Sequence, residues 1–211
     1  MTGSLDRAAL RVIPREESGV PSLRVCGLGL RRRRTWILKG FDWAHRAGEI
    51  AWLVGENGAG KSSLLRVLAG RERPTSGRVA LDGAGSTRTL YYHPAMRLPP
   101  EVRAADWDRL VDALTGGAPR REALRPAFAD PRTKVANLST GEAKRLLLES
   151  LLRRSAPFVL LDEPYSHLSE TGQEALTKIL RERCRTAVVV VATNQRIPAE
   201  AGGVRVRIER P

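Results

Sequence analysis

Gly55-Glu56-Asn57-Gly58-Ala59-Gly60-Lys61-Ser62 satisfies G-x-x-x-x-G-K-[ST] at every fixed position, and each fixed position has a chemical reason. The glycines let the backbone curl into a nest whose N–H groups point inward at an anion. A helix opening at this point aims the positive end of its dipole at the same spot. Lys61 adds a full positive charge near the β- and γ-phosphates of a nucleotide, Ser62 offers a hydroxyl to Mg²⁺, and Ser63 closes the cradle. Further on, Phe158–Leu161 runs into Asp162-Glu163-Pro164. At the C-terminal end of a buried strand, Asp162 can hold Mg²⁺ through water, and Glu163 can polarise the water that attacks a γ-phosphate. Each element alone has an ordinary explanation, a glycine-rich turn or an acidic turn start. The two together point to a nucleoside triphosphate site.

Such residues need strands that end side by side. Glu49–Val54 (EIAWLV), Phe158–Leu161 and Ala187–Ala192 are compact apolar runs and read as buried strands. Ser62–Ala69 reads as a helix ended by Gly70, and Glu170–Arg183 as another. Gly141–Arg154 carries apolar residues at 143, 147 and 151 and at 148 and 152, a helical stripe. All-apolar strands alternating with helices predict an α/β fold with a parallel sheet. Leu23, Val25, Ile37, Leu38, Phe41 and Trp43 fit short antiparallel strands, Arg78–Leu81 a strand entering the Asp82-Gly83 turn, and Leu90–Tyr92 a further strand. Pro99, Pro100, Pro119, Pro126 and Pro131 punctuate residues 97–137, where short amphipathic helices such as Glu101–Leu114 form a small helical insertion. Residues 1–21 show no clear period and read as an N-terminal extension.

Composition narrows the class. A chain of 211 residues that is 42% apolar can bury a core, which excludes a disordered tail or a collagen-like fibre. Its longest apolar run, Ala187–Ala192, is far below the roughly 20 residues of a membrane span. Cys26 and Cys184 are too few for a disulfide scaffold, and three scattered histidines make no metal site. The N-terminus lacks the apolar core of a signal peptide, so a cytoplasmic address is expected. A surplus of 13 positive charges favours polyanionic partners, yet most of it is arginine spread along the chain, with Arg31–Arg34 the one run.

Leu138-Ser139-Thr140-Gly141-Glu142 resembles the L-S-G-G-Q signature of ABC-type ATPases and precedes Asp162-Glu163 by the spacing of that family. The resemblance extends from residue 23 to about 197. It implies a P-loop NTPase (ABC ATPase) core with a mostly parallel sheet, an antiparallel β subdomain and a small helical subdomain at about 97–153, all within one domain over 22–211. It further implies a head-to-tail dimer, homomeric or with a second kind of ATP-binding subunit, in which ATP with Mg²⁺ lies between the Gly55–Ser63 loop of one subunit and the Ser139–Glu142 segment of the other. Read by themselves, Ser139 and Glu142 have the spacing of a capping box, and Gly141 leaves amide donors open at that helix start.

Several positions depart from the family. Residues 28–33 hold no aromatic ring for the adenine, so an arginine, Arg32 or Arg33, is expected to stack on the base, with Trp36 the second candidate. His93 aligns with a glutamine that reaches water or the metal shell, Ser169 with an aspartate, and Asn194 with a histidine that contacts the γ-phosphate. Intact Lys61, Ser62, Asp162 and Glu163 beside these changes predict real but slowed hydrolysis. With about 17 residues beyond Asn194 and no regulatory domain expected, the chain looks like the ATP-binding subunit of a bacterial transporter. The resemblance then implies integral membrane subunits as partners, gripped by the helical insertion around His93, and a peripheral position on the cytoplasmic face of the membrane. Tyr92-His93-Pro94 and Thr193-Asn194-Gln195 are similar to stretches of haem-exporter subunits from cytochrome c maturation systems. Two other readings are a non-transport ATPase acting on nucleic acid or the ribosome, and a regulator with decayed hydrolysis. Nucleic acid is not the expected partner, because the chain carries neither a second cassette nor long inserted arms.

Overall fold

The computed structural model describes residues 19–83, 86–114 and 132–211. Most of the 1–21 extension and the Pro119, Pro126 and Pro131 part of the helical insertion lie outside the described residues. Strands β1 (Ser22–Arg32) and β2 (Thr35–Arg46) form an antiparallel hairpin. Strand β4 (Ser76–Asp82) pairs antiparallel with the other edge of β1. The second sheet is parallel throughout, in the order β5 (Thr89–Tyr92), β6 (Phe158–Asp162), β7 (Val188–Ala192), β3 (Ile50–Val54), β8 (Val204–Arg207). Among the described residues four α-helices accompany it: α1 (Lys61–Leu68), α2 (Ala104–Leu114), α3 (Thr140–Leu152) and α4 (Glu170–Arg183).

The continuous apolar runs of β6 and β7 are buried at every residue because the strands face protein on both sides. Successive side chains point to opposite faces. Phe158, Leu160, Val188 and Val190 pack with α1 and with Leu23, Val25 and Leu38 of the antiparallel sheet. Val159, Leu161, Val189 and Val191 pack with Leu148, Leu152, Leu176 and Leu180 of α3 and α4. Each such side chain contributes about 1.5–3 kcal/mol by leaving water.

The structure departs from the sequence reading in three elements. Helix α2 begins at Ala104 rather than Glu101, because Arg103 pairs with Lys134 as an antiparallel bridge and the residues before it turn back, the Val102 amide donating to the Pro99 carbonyl. The hairpin strands are longer than their apolar positions indicate, since one face of each is exposed. Strand β8 was not anticipated. Its Val-Arg-Val-Arg pattern is short, and it becomes a strand by adding to the open edge of β3. The order β5-β6-β7-β3 sets four strand ends next to one another on the C-terminal edge of the sheet. His93, Asp162-Glu163, Thr193-Asn194 and the Gly55–Ser62 loop follow those four ends.

Candidate active site

The loop between β3 and α1 takes backbone conformations that suit glycine. Gly60, at φ 111°, caps α1 without any side chain. A Cβ there would press within 3.1 Å of Ile37 and 3.3 Å of Leu38. The first amides of α1 have no carbonyl within the helix to bond, so they stay open to an anion. Lys61 is buried at the mouth of this nest, 5% exposed. Its ammonium donates to the carbonyls of Gly55 at 2.7 Å and Glu56 at 2.9 Å. Burial lowers its pKa, against the opposing charges of Glu163 and Asp162. The side chain thus rests on its own loop, within reach of an incoming phosphate.

Asp162 is 3% exposed at the end of β6. Burial raises its pKa, opposed by a hydrogen bond from Ser62 and by the charges of His93, Arg66 and Lys61. The Ser62 hydroxyl donates to Asp162 Oδ1 at 3.0 Å. This pair supplies hard oxygen donors of the kind Mg²⁺ selects. Among the described residues no group of three or more His, Cys, Asp or Glu could cage a metal.

Glu163 has left-handed backbone, φ 48°, and His167 ends the same turn at φ 60°. Such conformations cost about 1–3 kcal/mol each for residues with a Cβ and persist only where surrounding contacts enforce them. Here the Glu163 amide donates to the Ala192 carbonyl at 2.9 Å. Its carbonyl accepts from Lys144 Nζ at 2.7 Å and from the Ser166 hydroxyl at 3.0 Å. Its carboxylate accepts a long hydrogen bond, 3.4 Å, from Thr193. His93 follows β5 and acts electrostatically on Asp162, with Nδ1 accepting from the Ala95 amide at 3.0 Å. That bond leaves Nε2–H of the neutral ring as a donor toward water. Asn194 is exposed in the turn after β7.

The Ser139 segment lies elsewhere. Ser139 caps α3, its hydroxyl accepting from the Glu142 amide at 3.2 Å while its own amide donates to Glu142 Oε2 at 2.8 Å. These bonds hold the Glu142 carboxyl below the usual range. Among the described residues no hydrogen bond or ion pair joins Ser139, Gly141 or Glu142 to the phosphate loop. Instead Gly141 faces the 163–167 turn, where a Cβ would stand 2.7 Å from the His167 carbonyl.

Comparison with known sequences matches residues 38–166 to the family described as ABC transporter. The chain belongs to the ABC transporter ATP-binding family. It is 36% identical over 188 residues to the cytochrome c biogenesis ATP-binding export protein CcmA of Novosphingobium aromaticivorans, across 84% of this chain and 94% of that protein. To CcmA of Bradyrhizobium diazoefficiens it is 32% identical over 180 residues, across 81% and 90% respectively. Among solved structures it is similar in fold to a putative ABC transporter ATP-binding protein from Pyrococcus furiosus (TM-score 0.75, 18% identity, 90% of this chain and 100% of that one). A cassette solved as a post-hydrolysis dimer with ADP and Pi gives a TM-score of 0.73 at 19% identity, over 89% and 94%.

In this ABC ATPase the structure also places the residues that depart from the family pattern. Arg32 lies at the end of β1 and forms a forked pair with Glu72, its Nη2 at 2.8 and 2.9 Å from the two carboxylate oxygens. Glu72 also accepts from Arg66 Nε at 2.9 Å, and Arg66 donates to the Ser63 hydroxyl at 2.9 Å. Partial burial of Glu72 works against ionisation, but hydrogen bonds and charge from the two arginines outweigh it and lower the pKa. Arg33 occupies the hairpin turn at φ 54°. Trp36 is covered by Arg31, whose guanidinium carbon is 5.7 Å from the ring centroid. Ser169 caps α4 by accepting from the Gly172 amide at 3.2 Å.

Three contributors escaped the sequence reading. Thr193, rather than Asn194, touches the Glu163 carboxylate. Glu72 holds Arg32. Lys144, buried on α3, holds the carbonyl of Glu163. Only Lys144 left a signal: a lysine four residues before Leu148, on the apolar stripe of its helix.

Proposed function

We propose that this chain hydrolyses ATP to energise a membrane transporter, by closing head to tail with a second ATP-binding subunit around two nucleotides. The observation that carries the reading is the meeting of Lys61, the Ser62–Asp162 pair and Glu163 at adjoining strand ends. The loop amides and Lys61 bind the phosphates, with Gly55–Ser63 as the cradle. Ser62 and Asp162 would hold Mg²⁺, which neutralises charge on the phosphates when bound. Glu163 orients and polarises the attacking water. His93 Nε2–H and the Asn194 amide donate hydrogen bonds toward water and the γ-phosphate. Arg32, held in plane by Glu72, presents a guanidinium face to the adenine.

Ser139, Gly141 and Glu142 of a second copy complete the site. The Ser139 hydroxyl accepts within its cap and so keeps its own proton free for an oxygen of that nucleotide. Among the described residues no helix is long and apolar enough to cross a membrane. In this reading the transported substrate passes through integral membrane subunits, with this chain on their cytoplasmic face. The CcmA relatives support a role in cytochrome c biogenesis.

The test is a Glu163→Gln variant, which keeps the binding residues and removes the base. With Mg-ATP it is expected to run as a dimer in size-exclusion chromatography, and as a monomer without nucleotide. Wild-type turnover no greater than that of Glu163→Gln, or a monomer at millimolar ATP, would overturn the reading.

A further inference from the structure

Lys144 is a buried cation with every donor in use. It donates to the Glu163 carbonyl at 2.7 Å, the Ser166 carbonyl at 2.8 Å and the Ser166 hydroxyl at 2.7 Å. An ammonium has three N–H donors, so none remains. The Ser166 hydroxyl passes its own proton to the Glu163 carbonyl at 3.0 Å, closing the cluster. Tyr92 flanks the charge, its ring centroid 5.4 Å from Nζ.

A second contact acts on the same turn. Because residue 141 is glycine, the His167 carbonyl comes within 2.7 Å of where a Cβ would stand. The start of α3 thus meets the 163–167 turn at both ends, through Gly141 at His167 and Lys144 at Glu163 and Ser166. Those ends carry the two left-handed residues, Glu163 and His167. Taking an ammonium out of water is costly, and burial moves Lys144 down to about 8 from 10.5. A helix needing only packing would carry Leu or Met at this point of its stripe. The lysine serves the turn.

We propose that Lys144 is a positioning residue for hydrolysis: it fastens the backbone of Glu163 to α3, so that seating the Ser139 end of α3 on a nucleotide sets the Glu163 carboxylate of the same chain. The inference rests on the reading given above, in which Ser139 meets the second copy's ATP while Glu163 serves the chain's own. Lys144 then joins the two ATP sites through a rigid helix and a strained turn.

The experiment compares the full chain with Lys144→Met, Lys144→Arg and Ser166→Ala, measuring Mg-ATP turnover and the binding of a fluorescent ATP analogue. Lys144→Met is expected to lower kcat at least tenfold, with ATP KM and analogue Kd within twofold of wild type. Lys144→Arg keeps charge and donors and should recover at least a third of the rate. Ser166→Ala should lose two- to fivefold in kcat alone. Glu163→Gln/Lys144→Met should still dimerise with ATP, which separates positioning from assembly. Wild-type kcat in Lys144→Met, or a loss of ATP binding that parallels the loss of rate, overturns the proposal. If Lys144→Met does not fold, Ser166→Ala decides, an unchanged kcat being the adverse result. Failure of the functional reading is separate, for then wild type itself does not exceed Glu163→Gln.

Discussion

The Ser62 hydroxyl and Asp162 Oδ1 stand 3.0 Å apart, joining the first turn of α1 to the end of β6. The chain separates them by 100 residues, and the sheet order brings them together. Asp162 is held there at a cost, because burial raises its pKa above the ordinary carboxylate value.

That cost has a sign. An unfolded Asp162 loses its proton near 3.8 and the folded one at a higher pH. The group's contribution to stability therefore falls as pH rises through that window, and the penalty is full at neutral pH. Asp162→Asn is expected to melt above wild type at pH 7, while losing Mg-dependent ATPase. A lower Tm in calorimetry would contradict the assignment.

Lys144 carries the opposite chemistry. Facing it are Glu163 at the end of β6 and Tyr92, Arg97 and His167 around its groove. Its pKa is about 8 in the folded chain, against 10.5 as the ordinary value. Between those values the unfolded chain binds the extra proton, so stability from this group rises with pH. Denaturant midpoints should show an upward contribution from pH 8 to 10.5 in wild type that Lys144→Met lacks.

Asn194 cannot carry a proton, although its amide can donate one hydrogen bond. Loss of one such donor to a developing oxyanion costs about 2.7–4 kcal/mol, a hundred- to thousandfold in rate. Asn194→His is therefore expected to raise kcat by about tenfold or more in a phosphate-release assay. An unchanged rate would remove position 194 from the chemistry.

Glu72, itself partly buried, holds the half-exposed Arg32, and ion pairs this close to water contribute about 0–1 kcal/mol to stability. Glu72→Ala should leave Tm nearly unchanged. If Arg32 stacks on adenine, the same variant should raise ATP KM about three- to tenfold. Tripolyphosphate, which has no base, should bind equally to both proteins.

Much of the machinery was legible because it is contiguous. Gly55–Ser62 contains its whole logic in eight residues, and the Ser139–Glu142 capping box closes over four. The buried strands announced themselves because β6 as far as Leu161 and all of β7 are enclosed on both faces and carry only apolar residues. β8 did not, since an edge strand owes its existence to the neighbour it pairs with.

The sequence by itself therefore determined the groups on offer: a glycine-rich loop carrying Lys61 and Ser62, and the adjoining carboxylates Asp162 and Glu163, each written in local spacing. Only the tertiary structure decided what holds them. Lys144 reaches Glu163 across 19 residues, Thr193 across 30, and Arg32 reaches Glu72 across 40. Contacts at such separations depend on strand order and helix docking, which local spacing does not encode. A buried ammonium finds its three oxygens only when α3 and the turn after β6 have met.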